Sequence, residues 1–301
     1  MSEFDKVRCA RRRDLMILKE KEAVTFSVQP GVFSPVTPPP GMELLGSYGE
    51  IPTEPDVILE KVRALQPPSA SPLEMEQIAI HCCVAANGTY IPSHQMFMDS
   101  ATLVNIARGG EEGIAFMNSH RTGSYSTPAE LPYGRTFAGR YEQWIREDGE
   151  IFEQAIEAVY MLRGVKPSGD NGPTIDDIDA MISGGVIKDV SVGLTPGNAG
   201  WIECDICHKD YYNGGCRHYR GSTYNMEEDE IQRQKNRGIS GGFCTVTLRS
   251  WEQSEVSAVY DGAVPGAGFS KIRKAISTGT LTGIHLQEIQ SIFTDSKILG
   301  I

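Results

Sequence analysis

The 301-residue sequence has no apolar run approaching the ~20 residues needed to cross a bilayer, so no membrane span is expected. It also has no export signal. MSEFDKVRCARRRDL is charged and no apolar stretch follows it, so the chain is expected to stay in the cytoplasm where it is made. Positive charge is in short supply: 28 Lys and Arg face 39 Asp and Glu, and the formal net charge of −11 disfavours general nucleic-acid binding. The short basic run Arg11, Arg12 and Arg13 reads as a solvated tail, with a nucleic-acid or acidic-partner arm as the alternative. There is no internal repeat and no glycine-rich phosphate loop. The absence of a G-x-S-x-G elbow argues against an α/β-hydrolase. The cysteines number seven, and an odd count without export argues against a disulfide framework.

Proline is concentrated in residues 1–70, in VQPGVFSPVTPPPG and LQPPSASP, which predicts an extended arm with one short helix at PDVILEKVRALQ. From about residue 75 the texture changes. EQIAIHCCVAA and GIAFMNS are apolar runs suited to buried strands, and LPYGRTFAGRYEQW suits another. SATLVNIARGG reads as a helix capped by Ser100 and stopped at Gly109. In IFEQAIEAVYMLR, Phe152, Ala155, Ile156, Val159 and Leu162 fall on one face at helical spacing, which predicts a second helix. A third follows in PTIDDIDAMISGG, with Thr174 and Asp177 as a capping pair and Gly184 as the stop. KDVSVGLTP alternates as a strand, with Val190, Val192 and Leu194 on one side and Asp189, Ser191 and Gly193 on the other. GGFCTVTLRSWEQSEVSAVYDGA gives one or two more strands, GAVPGAG a flexible linker, and the remainder a helical tail. Strands and helices mix without a regular βαβ beat, which predicts an α+β fold or a barrel with helices. The expected organisation is an arm over 1–72, a domain over 73–268 and a tail over 269–301.

One cluster suggests metal. CDICHKDYYNGGCRH places Cys204 and Cys207 two residues apart, then Cys216 and His218 after eight more, with Gly214 and Gly215 to fold the second pair back. Three thiolates and one imidazole complete a tetrahedral Zn²⁺ and leave no open position, so the ion would be structural, in an insert over about 201–222. His208 is an alternative ligand. Cys9, Cys82, Cys83 and Cys244 read as core or incidental thiols.

Three further segments bear on catalysis. His120 leaves a strand in MNSHRTG, and a histidine there suits a general base. Ser191 lies on a strand among small residues in GGVIKDVSVGL, which leaves room for oxyanion donors to approach a carbonyl oxygen. Glu255, in EQSEVSAVYDGAVPGA, could orient the histidine or be an edge-strand surface charge. Taken in this order, with LPYGR after His120, the segments resemble the prohead (capsid-maturation) serine proteases of tailed phages, over roughly residues 75–268. The resemblance implies a β-barrel core wrapped by helices, as in the herpesvirus assembly proteases. It implies Ser191 as nucleophile, His120 as base and Glu255 as a candidate third member. It further implies an endopeptidase acting on phage scaffold and major capsid protein inside the assembling prohead, in the host bacterial cytoplasm, with homo-oligomerisation left open. The alternative is a catalytically silent assembly protein that keeps the fold and the zinc site. A zinc-dependent hydrolase fits poorly, because the ligand set is closed.

Overall fold

The computed structural model describes residues 23–27, 42–84, 90–91, 95–120, 131–147, 149, 151–168, 172–236, 242–260, 264–265 and 267–270. Their architecture is α+β with two mixed sheets. The larger contains β1 (Ala23–Ser27), β2 (Met42–Gly49), β3 (Ile78–Val84), β6 (Ala115–Asn118), β7 (Gly134–Arg146), β8 (Ile151–Leu162), β9 (Asp189–Thr195), β12 (Glu252–Val259), β13 (Val264–Pro265) and β14 (Phe269–Ser270). The smaller contains β4 (Tyr90–Ile91), β5 (Met96–Met98), β10 (Trp201–Cys204) and β11 (Val246–Arg249). The helices are α1 (Pro55–Ala64), α2 (Ser100–Glu112), α3 (Ile175–Ser183) and α4 (Glu228–Asn236).

The ladder of the larger sheet runs β13-β1-β9-β12-β6-β7-β8-β3-β14, with β2 also on β7. It does not close into the expected barrel, because closure needs a continuous ladder between the end strands. Short pairings stand there instead: Val264–Pro265 run parallel to β1, Gly268 bridges Asp189, and Phe269–Ser270 pair with β3. The GAVPGAG stretch, expected as a flexible linker, thus supplies sheet pairings on either side. Two strands of the expected arm also enter this sheet. The rest of the predicted helical tail lies outside the described residues.

The largest departure from the sequence reading is β8. Residues 151–162 form a strand between β3 and β7, not a helix. Ala155, Val159 and Met161 join the main core, while Ile156, Ala158 and Tyr160 join a second cluster beneath α1. A strand covered on both faces reads as a continuous apolar run, which carries positions at helical spacing by default. Here pairing with two long neighbours decides the conformation. β3 alternates in the same way: Ala79 and Cys83 face the main core, and Ile78, Ile80 and Cys82 face α1.

α2 crosses β7 at close range. A Cβ on Gly139 would stand 1.8 Å from the carbonyl oxygen of Ala107, so only glycine admits this approach. The helix starts one residue before the expected cap: Asp99, not Ser100, accepts from the Thr102 N–H at 2.8 Å. It runs through Gly109 and stops at left-handed Gly113 (φ 80°). Its N-terminus docks on the smaller sheet, where the Asp99 N–H donates to the Leu248 carbonyl at 3.1 Å. Residues of both sheets share one core, including Val192, Val256, Ile202 and Leu248. α3 has the predicted Thr174–Asp177 capping box and ends at Gly184. It is tied to the sheet by buried His81, whose Nε2 lies 2.8 Å from Asp179 Oδ1, with Arg163 3.0 Å from Asp179 Oδ2. Burial alone would raise the Asp179 carboxyl, but the bonds and charges from His81 and Arg163 outweigh it and hold it below the ordinary range.

Candidate functional site

β12 lies antiparallel to β9 and parallel to β6, so three segments singled out in the sequence meet on it. Ser191 stands directly opposite Ser257, and Gly193 opposite Glu255. Residues paired in this way, and residues two apart, point to the same face. Ser191, Gly193, Glu255 and Ser257 therefore share one side of the sheet. His120 comes to this side from just beyond β6, where Ser119 and His120 both adopt left-handed backbone (φ 47° and 60°). Two bonds to β12 hold that turn: the Ser119 N–H donates to the Ala258 carbonyl at 3.0 Å, and the His120 N–H donates to Ser257 Oγ at 3.1 Å. Strained residues of this kind concentrate at functional sites and persist only where surrounding bonds over-determine them.

The His120 ring turns back onto Glu255, with Nδ1 2.5 Å from Oε1. Glu255 Oε2 accepts from the Ser257 hydroxyl, also at 2.5 Å. The Glu255 side chain is 4% exposed and that of His120 25%, so the pair sits at the margin of the core. Glu255 is therefore not an edge-strand surface charge. Gly193 is what leaves room for it, since a Cβ there would stand 2.5 Å from Glu255 Oε1. Ser191 is fully buried and, among the described residues, its Oγ has no hydrogen-bond partner. The arrangement joins an imidazole to a carboxylate through Nδ1, the pairing that fixes the ring and leaves Nε2 as a proton acceptor.

Behind Glu255 lies a second carboxyl that the sequence reading passed over. Glu157, on β8, is completely buried, and the Gln253 amide donates to its Oε2 at 3.0 Å. Burial chiefly, with the charge of Glu255, pushes its pKa up to about 8 against the hydrogen bond from Gln253. The neutral form of Glu157 is thereby favoured. The unfolded-state value is about 4.3. Raising a carboxyl above that value gives stability that is complete below it and is lost as pH rises towards the folded-state value. Stability against urea should thus fall between about pH 5 and 8. In Glu157→Gln that decline should flatten; an unchanged pH profile would show that Glu157 does not cause it.

The second cluster is built at the end of β10. Cys204 closes that strand, and the chain turns through Cys207 to Asp210, whose carboxylate accepts from the Tyr212 and Asn213 N–H groups at 2.8 Å each. Gly214 then passes so near Asp210 that a Cβ would lie 2.7 Å from its nitrogen, and Gly215 takes a left-handed turn (φ 71°). This brings Cys216 and His218 back, and the four donor atoms of Cys204, Cys207, Cys216 and His218 all lie within 4.8 Å of one another. His218 Nδ1 is 3.5 Å from Cys204 Sγ and 3.7 Å from Cys216 Sγ. A tetrahedral ion with bonds of about 2.3 Å to sulfur and 2.0–2.1 Å to nitrogen sets these atoms about 3.6 Å apart, so the donor set fits a metal ion and is compatible with zinc. Tyr224 packs edge-on against the His218 ring at 4.8 Å. His208, the alternative ligand, is held instead by Glu203 at 2.8 Å.

Cys244 is a core thiol, as expected, and it packs against the cluster. It lies 3.9 Å from Cys204 sulfur to sulfur, and its hydrogen bond is the main cause holding the Cys204 thiol well below its ordinary value. Nothing local in the sequence marks it, because β10 and β11 bring the two together from 40 residues apart. The cluster belongs to the smaller sheet and so is more than a stapled loop. In comparisons with family models, curated proteins and solved structures, the chain finds no match. Among the described residues, no helix is long and apolar enough to cross a membrane.

Proposed function

We propose that the chain is a serine endopeptidase of the capsid-maturation kind, with Ser191 as nucleophile, His120 as general base and Glu255 as the group that orients His120. One observation carries this reading. A fully buried hydroxyl without a hydrogen-bond partner lies directly across the ladder from Ser257, the residue that anchors the His120–Glu255 pair. Orphaned buried hydroxyls are rare, and one beside an imidazole–carboxylate pair suits a nucleophile awaiting substrate. In the reaction, His120 takes the Ser191 proton as the oxygen attacks the scissile carbonyl, then gives it to the departing amine. Water releases the acyl group by the same route.

The cluster of Cys204, Cys207, Cys216 and His218 holds a structural Zn²⁺ in this account. Its four protein donors leave no position for water or substrate, so no chemical step passes through it. The substrates we propose are the scaffold and major capsid protein of a tailed phage, within the assembling head in the bacterial cytoplasm.

A second reading, a catalytically silent assembly protein, draws on the burial of Ser191 and on β9 being paired along both edges, by β1 and β12. Co-expression with the scaffold and capsid protein of the same phage separates the two. Mass spectrometry should find truncated products with the wild-type chain and none with Ser191→Ala. Identical products in both, or in neither, would remove the peptidase reading. Gly193→Ala should act on the same process indirectly. Its Cβ would displace Glu255, so cleavage should fall by roughly ten- to a hundredfold, as for loss of a charge-assisted hydrogen bond. Wild-type cleavage by Gly193→Ala would show that the space beside Glu255 does not matter.

A further inference from the structure

We infer that Ser257 is a positioning residue for this site: its hydroxyl fixes the Glu255 carboxylate and the His120 backbone in one arrangement. The kinetic part of its test rests on the peptidase reading; the geometric part does not. The Ser257 Oγ donates to Glu255 Oε2 at 2.5 Å and accepts from the His120 N–H at 3.1 Å. A hydroxyl has a single proton to give, so that donor is committed to Glu255 and is not available to Ser191. Glu255 Oε1 then faces His120 Nδ1 at 2.5 Å.

Each partner gains a constraint it lacks alone. The terminal torsion of a glutamate is broad, so a carboxylate held through one oxygen can swing. With both oxygens engaged it is locked, and both bonds are short and charge-assisted. The His120 backbone, left-handed at φ 60°, is held at its N–H by the same oxygen atom that orients the carboxylate. Ser257 thereby couples the direction of the ring to the direction of its acceptor. It is fully buried and lies opposite Ser191 in the ladder, so the nucleophile and the positioning group belong to one pair of strands.

The test compares the full-length wild type with Ser257→Ala and Ser257→Cys, the latter putting a somewhat larger thiol, a weaker donor, in place of the hydroxyl. Two quantities are read: the labelling rate of Ser191 by a fluorophosphonate, and the low-field proton NMR resonance of His120 Nδ1–H, assigned by its absence in His120→Gln. Thermal melting serves as the folding control. Ser257→Ala should lower the labelling rate by roughly ten- to a hundredfold, the equivalent of one hydrogen bond to a charged group, and shift the resonance upfield. Ser257→Cys should fall between wild type and Ser257→Ala, and decides the matter by itself if Ser257→Ala does not fold. An unmoved resonance in the folded variants overturns the inference, even if labelling falls, since Ser257 would then act through packing alone. Absence of labelling in the wild type overturns the peptidase reading, while the resonance still decides the role of Ser257.

Discussion

Replacing His120 with alanine should slow the acylation of Ser191 by a factor of at least about 10⁴. The expectation follows from the geometry on β12. Among the described residues Ser191 Oγ has no hydrogen-bond partner in the resting structure, and the imidazole held by Glu255 is the base we assign to it. A serine hydroxyl is a weak nucleophile until a neighbouring base takes its proton. Members of such a unit are not additive, so His120→Ala and Ser191→Ala should each cost nearly as much as both together. Glu255→Gln should cost on the order of 10³- to 10⁴-fold, because an amide can present N–H to Nδ1 and favour the wrong tautomer. Burst kinetics with an activated ester measure all three. Near wild-type rates for His120→Ala would detach the histidine from the chemistry.

The second large effect concerns the metal cluster. Cys216→Ser should lose the bound zinc, about one ion per chain in the wild type, and at least about 4 kcal/mol of stability, because metal binding and folding of such a site are one process. The cause is local. Cys216 and His218 are returned to Cys204 by the turn after Asp210, and Cys204, Cys216 and Cys244 crowd buried sulfur atoms together. Burial pushes the Cys216 thiol up to about 12, so a cation is needed to hold it as thiolate. Elemental analysis and thermal melting check the prediction. Freshly purified, reduced protein without zinc would remove the assignment, and an unaltered melting temperature after chelation would show that the metal is not structural.

The parts of this molecule legible in the sequence are those set by local chemistry. The α3 capping box, the strand β9 and the spacing of Cys204, Cys207, Cys216 and His218 are contained within short segments, and the structure has them as expected. The convergence of His120 with Glu255 was anticipated from a motif order and not from any physical signal in either segment alone. What escaped notice depends on partners distant in sequence. β8 is a strand because β3 and β7 cover its edges, which no window around Phe152 or Val159 reveals. Ser257 is one of several serines near Glu255 until the ladder places it opposite Ser191. Glu157 has no local signal, and strand geometry buries it beside Glu255. Cys244 gains its meaning only when β11 pairs with β10. The closed barrel also failed for a non-local reason, since the two-residue strands that end the ladder, β13 and β14, pair with β1 and β3 and, among the described residues, not with each other.

The central claim is that Ser191 is a nucleophile activated by His120. Exposure of the full-length protein to a fluorophosphonate, followed by intact-mass analysis and peptide mapping, tests it most directly. A single adduct is expected, located on Ser191, that is absent in Ser191→Ala and strongly slowed in His120→Ala. No adduct under conditions where a control serine peptidase is fully labelled, or an adduct on Ser191 that forms equally fast without His120, would contradict it.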